Sequence, residues 1–253
     1  MYDPPLRLSA SGVPYLGKNL MEHMAARFRA DCKAFLKQDG PTSFAREFAE
    51  NYLRLKVDHQ WLGTDGCNLG MSVFADGTDI PVYVPETNKA QWLRVSANTV
   101  LLDRSLLEAG RKNTLRFTLM HECAHHLLHG NYYRRADAAG RGVTAPLRRE
   151  AAGEADVQPR EAWGDTDWME WQANYLASAL LAPKPEIEAW LRDEDVYGYY
   201  AYRVERGISR TRAMSQVVSS FARRFGVSAQ VAEIRLKTLG FDPARECYAL
   251  AAV

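Results

Sequence analysis

Two histidines and a glutamate stand together at His121-Glu122-Cys123-Ala124-His125, an HExxH string. On a helix each residue advances about 100°, so imidazoles four positions apart project from one face, within reach of a single ion, with Glu122 one step round beside them. Four of the six histidines, at positions 121, 125, 126 and 129, fall in this one stretch. Zinc suits such a pair because it accepts neutral imidazole and carboxylate, has no d-electron preference for geometry, and leaves a position for water in catalytic sites. The competing reading is a chance string on a solvated helix face. Leu119, Met120 and Leu127 flank the pair, which favours a buried site over a solvated one.

Two histidines leave a catalytic zinc site incomplete, and the third ligand is expected from another element as a histidine or a carboxylate. Glu170, 45 positions beyond His125, is the best candidate, although taken alone it would be read as a surface carboxylate. Asn174 follows one turn later on the same helical face. It could accept a hydrogen bond from the Nδ1–H of a ligand imidazole and so fix the tautomer.

The elements that must position these groups are read from periodicity. Leu20, Met24, Phe28 and Cys32 recur every four residues and predict a helix over 19–36, ended by Gly40-Pro41. Ser43 is placed to cap a short helix over 43–51. Branched and aromatic runs at 53–62, 71–74, 80–84, 92–95 and 99–102, separated by turn signals such as Asp76-Gly77 and Thr87-Asn88, predict a small sheet built from hairpins. Asn113 caps a predicted helix running through His129 and stopping at Gly130. The Ala-, Arg- and Gly-rich stretch 131–165 is expected to be a long loop, and Asp167 to cap a helix over 168–181 closed by Pro183. Further helices fill the tail to Gly240.

Residues 115–129, RFTLMHECAHHLLH with its leading leucine, resemble the RFTLAHELGHHLLH segment of the ImmA/IrrE metallopeptidases, and residues 170–183 are similar to that family's ExxANxFAxxLLxP helix. The likeness covers about residues 44–240 and is loose across the hairpin region. Cys123-Ala124 stands where the family has Leu-Gly, Leu176 where it has Phe, and the intervening loop is longer. Cys123 is read as a packing residue rather than a redox thiol. The resemblance implies an α+β fold: a zincin-like core with a small, mostly antiparallel sheet packed on the HExxH helix, and a C-terminal helical subdomain. It implies further that His121, His125 and Glu170 bind Zn2+, gluzincin-fashion, and that Glu122 is the catalytic carboxylate of a metallo-endopeptidase. Tyr132, Tyr133, Tyr175 or a residue of the 131–165 loop could stabilise an oxyanion, and the sequence does not choose among them. A strand among residues 92–102 could hold an extended substrate. The implied substrate is a co-encoded helix-turn-helix repressor, cut to derepress stress-response or mobile-element genes.

Thirty-two basic against 31 acidic residues leave a formal charge of +1, so no whole-chain field points to nucleic acid or membrane. Pro4, Pro5, Gly12 and Pro14 interrupt the start, which does not read as a secretory signal, and no apolar run approaches the ~18 residues of a membrane span. Scattered Cys32, Cys67, Cys123 and Cys247 suit reduced thiols, and a cytoplasmic location is expected. The expected organisation is an N-terminal helical segment over 1–40, a metallopeptidase core over 41–190 and a helical region over 191–253. In that last region nine basic residues between Arg203 and Arg245 outnumber three acidic ones. Phe221 to Leu236 has the outline of helix, tight turn and helix with Ser228 as cap, similar to the FxVSxxAxxxRLxxLG segment that follows the core in the family. One reading is a DNA-binding motif, which would make the chain a metal-bearing transcription regulator without proteolytic activity. Only Gln230, Arg235 and Lys237 could read bases, so packing or substrate docking is the preferred reading.

Overall fold

A computed structural model describes Tyr2 and residues 4–33, 40–64, 66–138, 144–148 and 162–243. The fold is mixed α+β, in two compact units, Met1–Leu180 and Leu181–Val253.

In the first unit, helix α1 (Lys18–Lys33) buries Met21, Met24, Ala25, Phe28 and Cys32. The stripe is set by the 3.6-residue period, so Met21 takes the inward position expected of Leu20, which is exposed. Helix α2 (Gly40–Glu47) begins before Ser43, so Ser43 lies inside the helix and not at its cap. It runs into a π-turn over Phe48–Tyr52, closed by Leu53 N–H to Phe48 O.

The strands are β1 (Lys56–Gln60), β2 (Asn68–Val73), β3 (Thr78–Val84), β4 (Lys89–Val95), β5 (Thr99–Asp103) and β6 (Thr144–Arg148). Only β3 and β4 form a simple hairpin, a two-stranded sheet turned at residues 85–88 with Asn88 at positive φ. The other four form a mixed sheet in the order β1-β5-β2-β6, with β1 parallel to β5 and the remaining pairs antiparallel. A parallel pair needs a long crossover, and here the 38 intervening residues contain β2, β3 and β4. Leu62, Val73, Ile80, Val82, Val95 and Leu101 share one apolar cluster drawn from both sheets.

Helix α3 (Lys112–Leu128) lies against β2 and β5. It does not end the helical run at Gly130. His129 departs from helical geometry at φ −113° and ψ 0° while its N–H still donates to His125 O and its carbonyl accepts from Tyr133 N, and a second helix, α4 (Gly130–Ala138), starts at that glycine. The expected loop over 131–165 is thus replaced by α4 and β6 in the parts that are described; 139–143 and 149–161 lie outside the described residues. Helix α5 (Asp165–Leu181) starts three residues before the expected Trp168, because Asp167 is its third residue and reaches back to accept from Gly164 N at 2.9 Å, as in a capping box.

The second unit holds α6 (Lys184–Asp193), α7 (Val196–Glu205), α8 (Arg210–Phe225) and α9 (Ala229–Thr238). Trp190 of α6 packs edge-on to Phe221 and Phe225, which explains why the division falls at residue 180 and not at the expected 190. Ser228 caps α9 by accepting from Val231 N, and Gly226 ends α8 with φ +61°. Arg235 faces inward, donating to Ala182 O at 3.1 Å. The exposed face of α9 is therefore Gln230, Glu233, Ile234 and Lys237, with no net charge. No helix among the described residues is long and apolar enough to cross a membrane.

Candidate metal centre

Most side chains of α3 from Thr118 to His125 are buried, including Thr118, His121, Glu122 and His125. A helix can sit this deep only if its neighbours leave room and satisfy its polar groups. Gly70 on β2 supplies the room: a Cβ there would lie 2.7 Å from Thr118 Cγ2 and 2.8 Å from Glu122 Oε1. Ser72, two residues on and therefore on the same face of β2, donates to Glu122 Oε2 at 2.7 Å.

Helix α5 brings Glu170 and Asn174 to the two imidazoles. His121 Nε2 and His125 Nε2 are 3.0 Å apart, and the Glu170 carboxylate places one oxygen 3.3 Å from each. His121 Nδ1 lies 2.9 Å from Asn174 Oδ1, so Nδ1 carries the proton and the Nε2 lone pair faces the cluster. Nitrogen and carboxylate lone pairs gathered this closely repel one another unless a proton or a metal cation lies between them. Bonds of 2.0–2.1 Å at tetrahedral angles would set donor atoms about 3.3 Å apart, close to the separations seen. The donor set of two imidazoles and a carboxylate therefore fits a metal ion, and His121, His125 and Glu170 could hold one.

Without an ion the site's electrostatics are set by burial and by the Glu170 charge. Burial opposes a charge on His121, but the hydrogen bond and charge of Glu170 outweigh it and raise its pKa, whereas burial prevails at His125 and lowers it. Burial also works against ionised Glu170, yet its contacts with both histidines hold it well below the usual carboxylate range. Glu122 is pushed up to about 8 by burial, partly offset by His121 and by the bond from Ser72. Its Oε1 is buried with no hydrogen-bond partner among the described residues. A bound dication would reverse this balance and favour the ionised form of Glu122.

Of the three candidate tyrosines, Tyr175 is committed elsewhere, donating to Glu22 Oε1 at 2.7 Å. Tyr133 on α4 stacks on Phe74 and stands edge-on to His125, ring centres 6.5 Å apart, with Tyr132 edge-on behind it. Cys123 is fully buried, and burial raises its thiol far above the usual range, so it packs rather than reacts. Within 92–102, β5 has partners along both edges, β1 and β2, and cannot accept an added strand; β4 is bonded to β3 on one edge. Gly70 and Ser72 escaped the sequence reading because their relation to Glu122 is a contact across 50 residues. No family model matches the chain, and no curated protein matches it either.

Proposed function

We propose that the chain is a zinc-dependent endopeptidase with a zincin-like core of the ImmA/IrrE kind, and that its substrate is a helix-turn-helix repressor encoded beside it. The observation that carries this reading is the meeting of His121, His125 and Glu170 within 4.8 Å, with the Glu122 carboxylate buried beside them. Bound zinc would supply Lewis acidity, polarising an amide carbonyl and acidifying a water molecule. The chain's own residues do the rest. Ser72 anchors Glu122 Oε2 and leaves Oε1 free to take a proton from water and deliver it to the departing amine. Asn174 keeps the His121 proton on Nδ1. Tyr133, whose ring stands edge-on to His125 at 6.5 Å, is the tyrosine we assign to donate to a developing oxyanion.

The test is incubation of the neighbouring gene's product with this protein, with and without zinc. Cleavage that needs zinc, and falls by about 10²-fold or more in Glu122→Gln while zinc remains bound, is expected. Full cleavage by that variant would remove Glu122 from the reaction. Salt-dependent duplex binding that survives His121→Ala would favour the transcription-regulator reading, against which stand the burial of Arg235 and the neutral face of α9.

A further inference from the structure

His129 is fully buried and is not one of the three metal-holding residues. Its Nδ1 lies 3.0 Å from His125 Nδ1, its Nε2 lies 3.0 Å from Gln172 Oε1, and Gln172 Nε2 lies 2.8 Å from the carbonyl oxygen of Pro14. Four groups from three separate segments thus form one unbranched chain that ends at a metal-holding imidazole.

The direction of every bond follows from the far end. A proline carbonyl can only accept, so Gln172 turns its amide NH2 to Pro14 and its oxygen to His129. That oxygen needs a donor, so His129 carries its proton on Nε2. A neutral imidazole then has a lone pair on Nδ1, and His125 must donate to it from its own Nδ1. The Nε2 of His125 is left bare, and that is the atom facing His121 Nε2 and Glu170 Oε1.

The starting point of the chain is itself held firmly. Pro14 pairs with Leu8 across a tight turn in which Ser9 N donates to Val13 O at 2.8 Å and Gly12 takes φ +98°. Val13 packs with Phe74, Tyr133 and Met169. A Cβ on Gly12 would meet Tyr132 Cα at 3.5 Å, so the turn lies directly on α4.

We propose that His129 and Gln172 are positioning residues that hold His125 in the one tautomer and ring orientation able to donate Nε2 to the metal, with the Pro14 carbonyl as the reference that sets the direction. This rests on the metal-site reading of the preceding sections. It makes the two imidazoles differently supported. His121 is oriented by one amide from α5, whereas His125 is oriented by a three-bond chain reaching the N-terminal turn.

Two measurements test it. In long-range proton–nitrogen spectra of the metal-free wild-type chain with labelled imidazoles, His125 is expected to be protonated on Nδ1 and His129 on Nε2. Protonation of His129 on Nδ1 would overturn the proposal. The second measurement is zinc affinity by competition with a chromophoric chelator. His129→Leu and Gln172→Leu are each expected to weaken binding about 10- to 100-fold, as loss of groups that orient a ligand does. The double variant should bind no more weakly than His129→Leu, because Gln172 acts only through His129, whereas adding Asn174→Ala should multiply the loss. Folded variants that bind zinc as tightly as wild type would reduce the chain of bonds to packing, even if they melt earlier. A wild-type protein that binds no zinc would instead overturn the metal reading itself, and if the variants fail to fold the wild-type spectra decide.

Discussion

Helix α8 of the second unit and helix α3 of the first are buried in different ways. In the second, α8 turns Ala213, Val217, Val218, Phe221 and Phe225 inward, an apolar stripe of the ordinary period, and its polar residues stay outside. In the first, α3 buries Thr118, His121, Glu122 and His125 beside Leu119, Met120 and Leu128, and α5 adds Gln172 to them. An interior polar atom left without a partner costs about 1–3 kcal/mol, so stability alone gives no reason to gather such groups. Here they converge on one point, and one of their atoms, Glu122 Oε1, has no hydrogen-bond partner among the described residues. The contrast separates a helix that packs from helices whose polar groups gather where a metal ion could be held.

The largest expected effects come from treating the two regions oppositely. Zinc at about 1,000 times its dissociation constant should stabilise the structure that binds it by about 4 kcal/mol. Hydrogen exchange should slow in α3 and α5 and remain unaltered in α8. Phe221→Ala should do the reverse, costing about 3–5 kcal/mol through the cavity left beside Trp190 and Phe225, with the zinc affinity of the folded protein unchanged. Equal slowing of exchange in both units on zinc addition would erase the distinction.

A buried carboxyl sharpens the contrast through pH. Glu122 sits near 8 in the folded, metal-free chain against an ordinary value of 4.5, so the folded state keeps a proton that the unfolded chain has released. Its contribution is complete below about pH 4.5 and is lost as the pH rises to about 8, on the order of a few kcal/mol. Glu122→Gln has no such proton to lose. The metal-free variant should therefore overtake wild type in stability between pH 5 and pH 8 by denaturant titration, roughly the span of that window. Parallel curves would show that Glu122 is ionised throughout.

How far each region was legible in the sequence follows the same division. Helical period alone places His121 and His125 on one face, and Glu170 with Asn174 on another helix, because these relations span a single turn. The cap at Ser228 is equally local. The inward turn of Met21 in place of Leu20 was missed because the two differ by one 100° step and both are apolar. Parallel pairing of β1 with β5, the strand β6, and the approach of Gly70 and Ser72 to Glu122 depend on contacts between distant segments that no local pattern encodes. Likewise, His129 was visible as a histidine on the right helix, but its partner Gln172 and the Pro14 carbonyl were not.

Ser72→Ala removes the hydroxyl that donates to Glu122 Oε2 and should cost about 1–3 kcal/mol. If the chain is the proposed peptidase, the expected signature is a lower kcat on a cleavable substrate with zinc affinity unchanged, since Ser72 bonds Glu122 and not His121, His125 or Glu170. Unchanged turnover would show that β2 supports the helix without orienting its glutamate.

The smallest test is a matched pair of helix caps. Asp167 accepts from Gly164 N at the start of α5, and Ser228 accepts from Val231 N at the start of α9. Each replaced by alanine should lose about 1 kcal/mol of stability, because each frees one backbone donor at a helix end. The similarity should stop there. Asp167 lies three residues, less than one turn, before Glu170, so fraying there moves a carboxylate that could hold a metal ion; Ser228 starts a helix that carries none of these three residues. Equal stability losses with weakened zinc binding in Asp167→Ala alone would show that a local capping bond, worth little to the fold, is coupled to the site because of where its helix points.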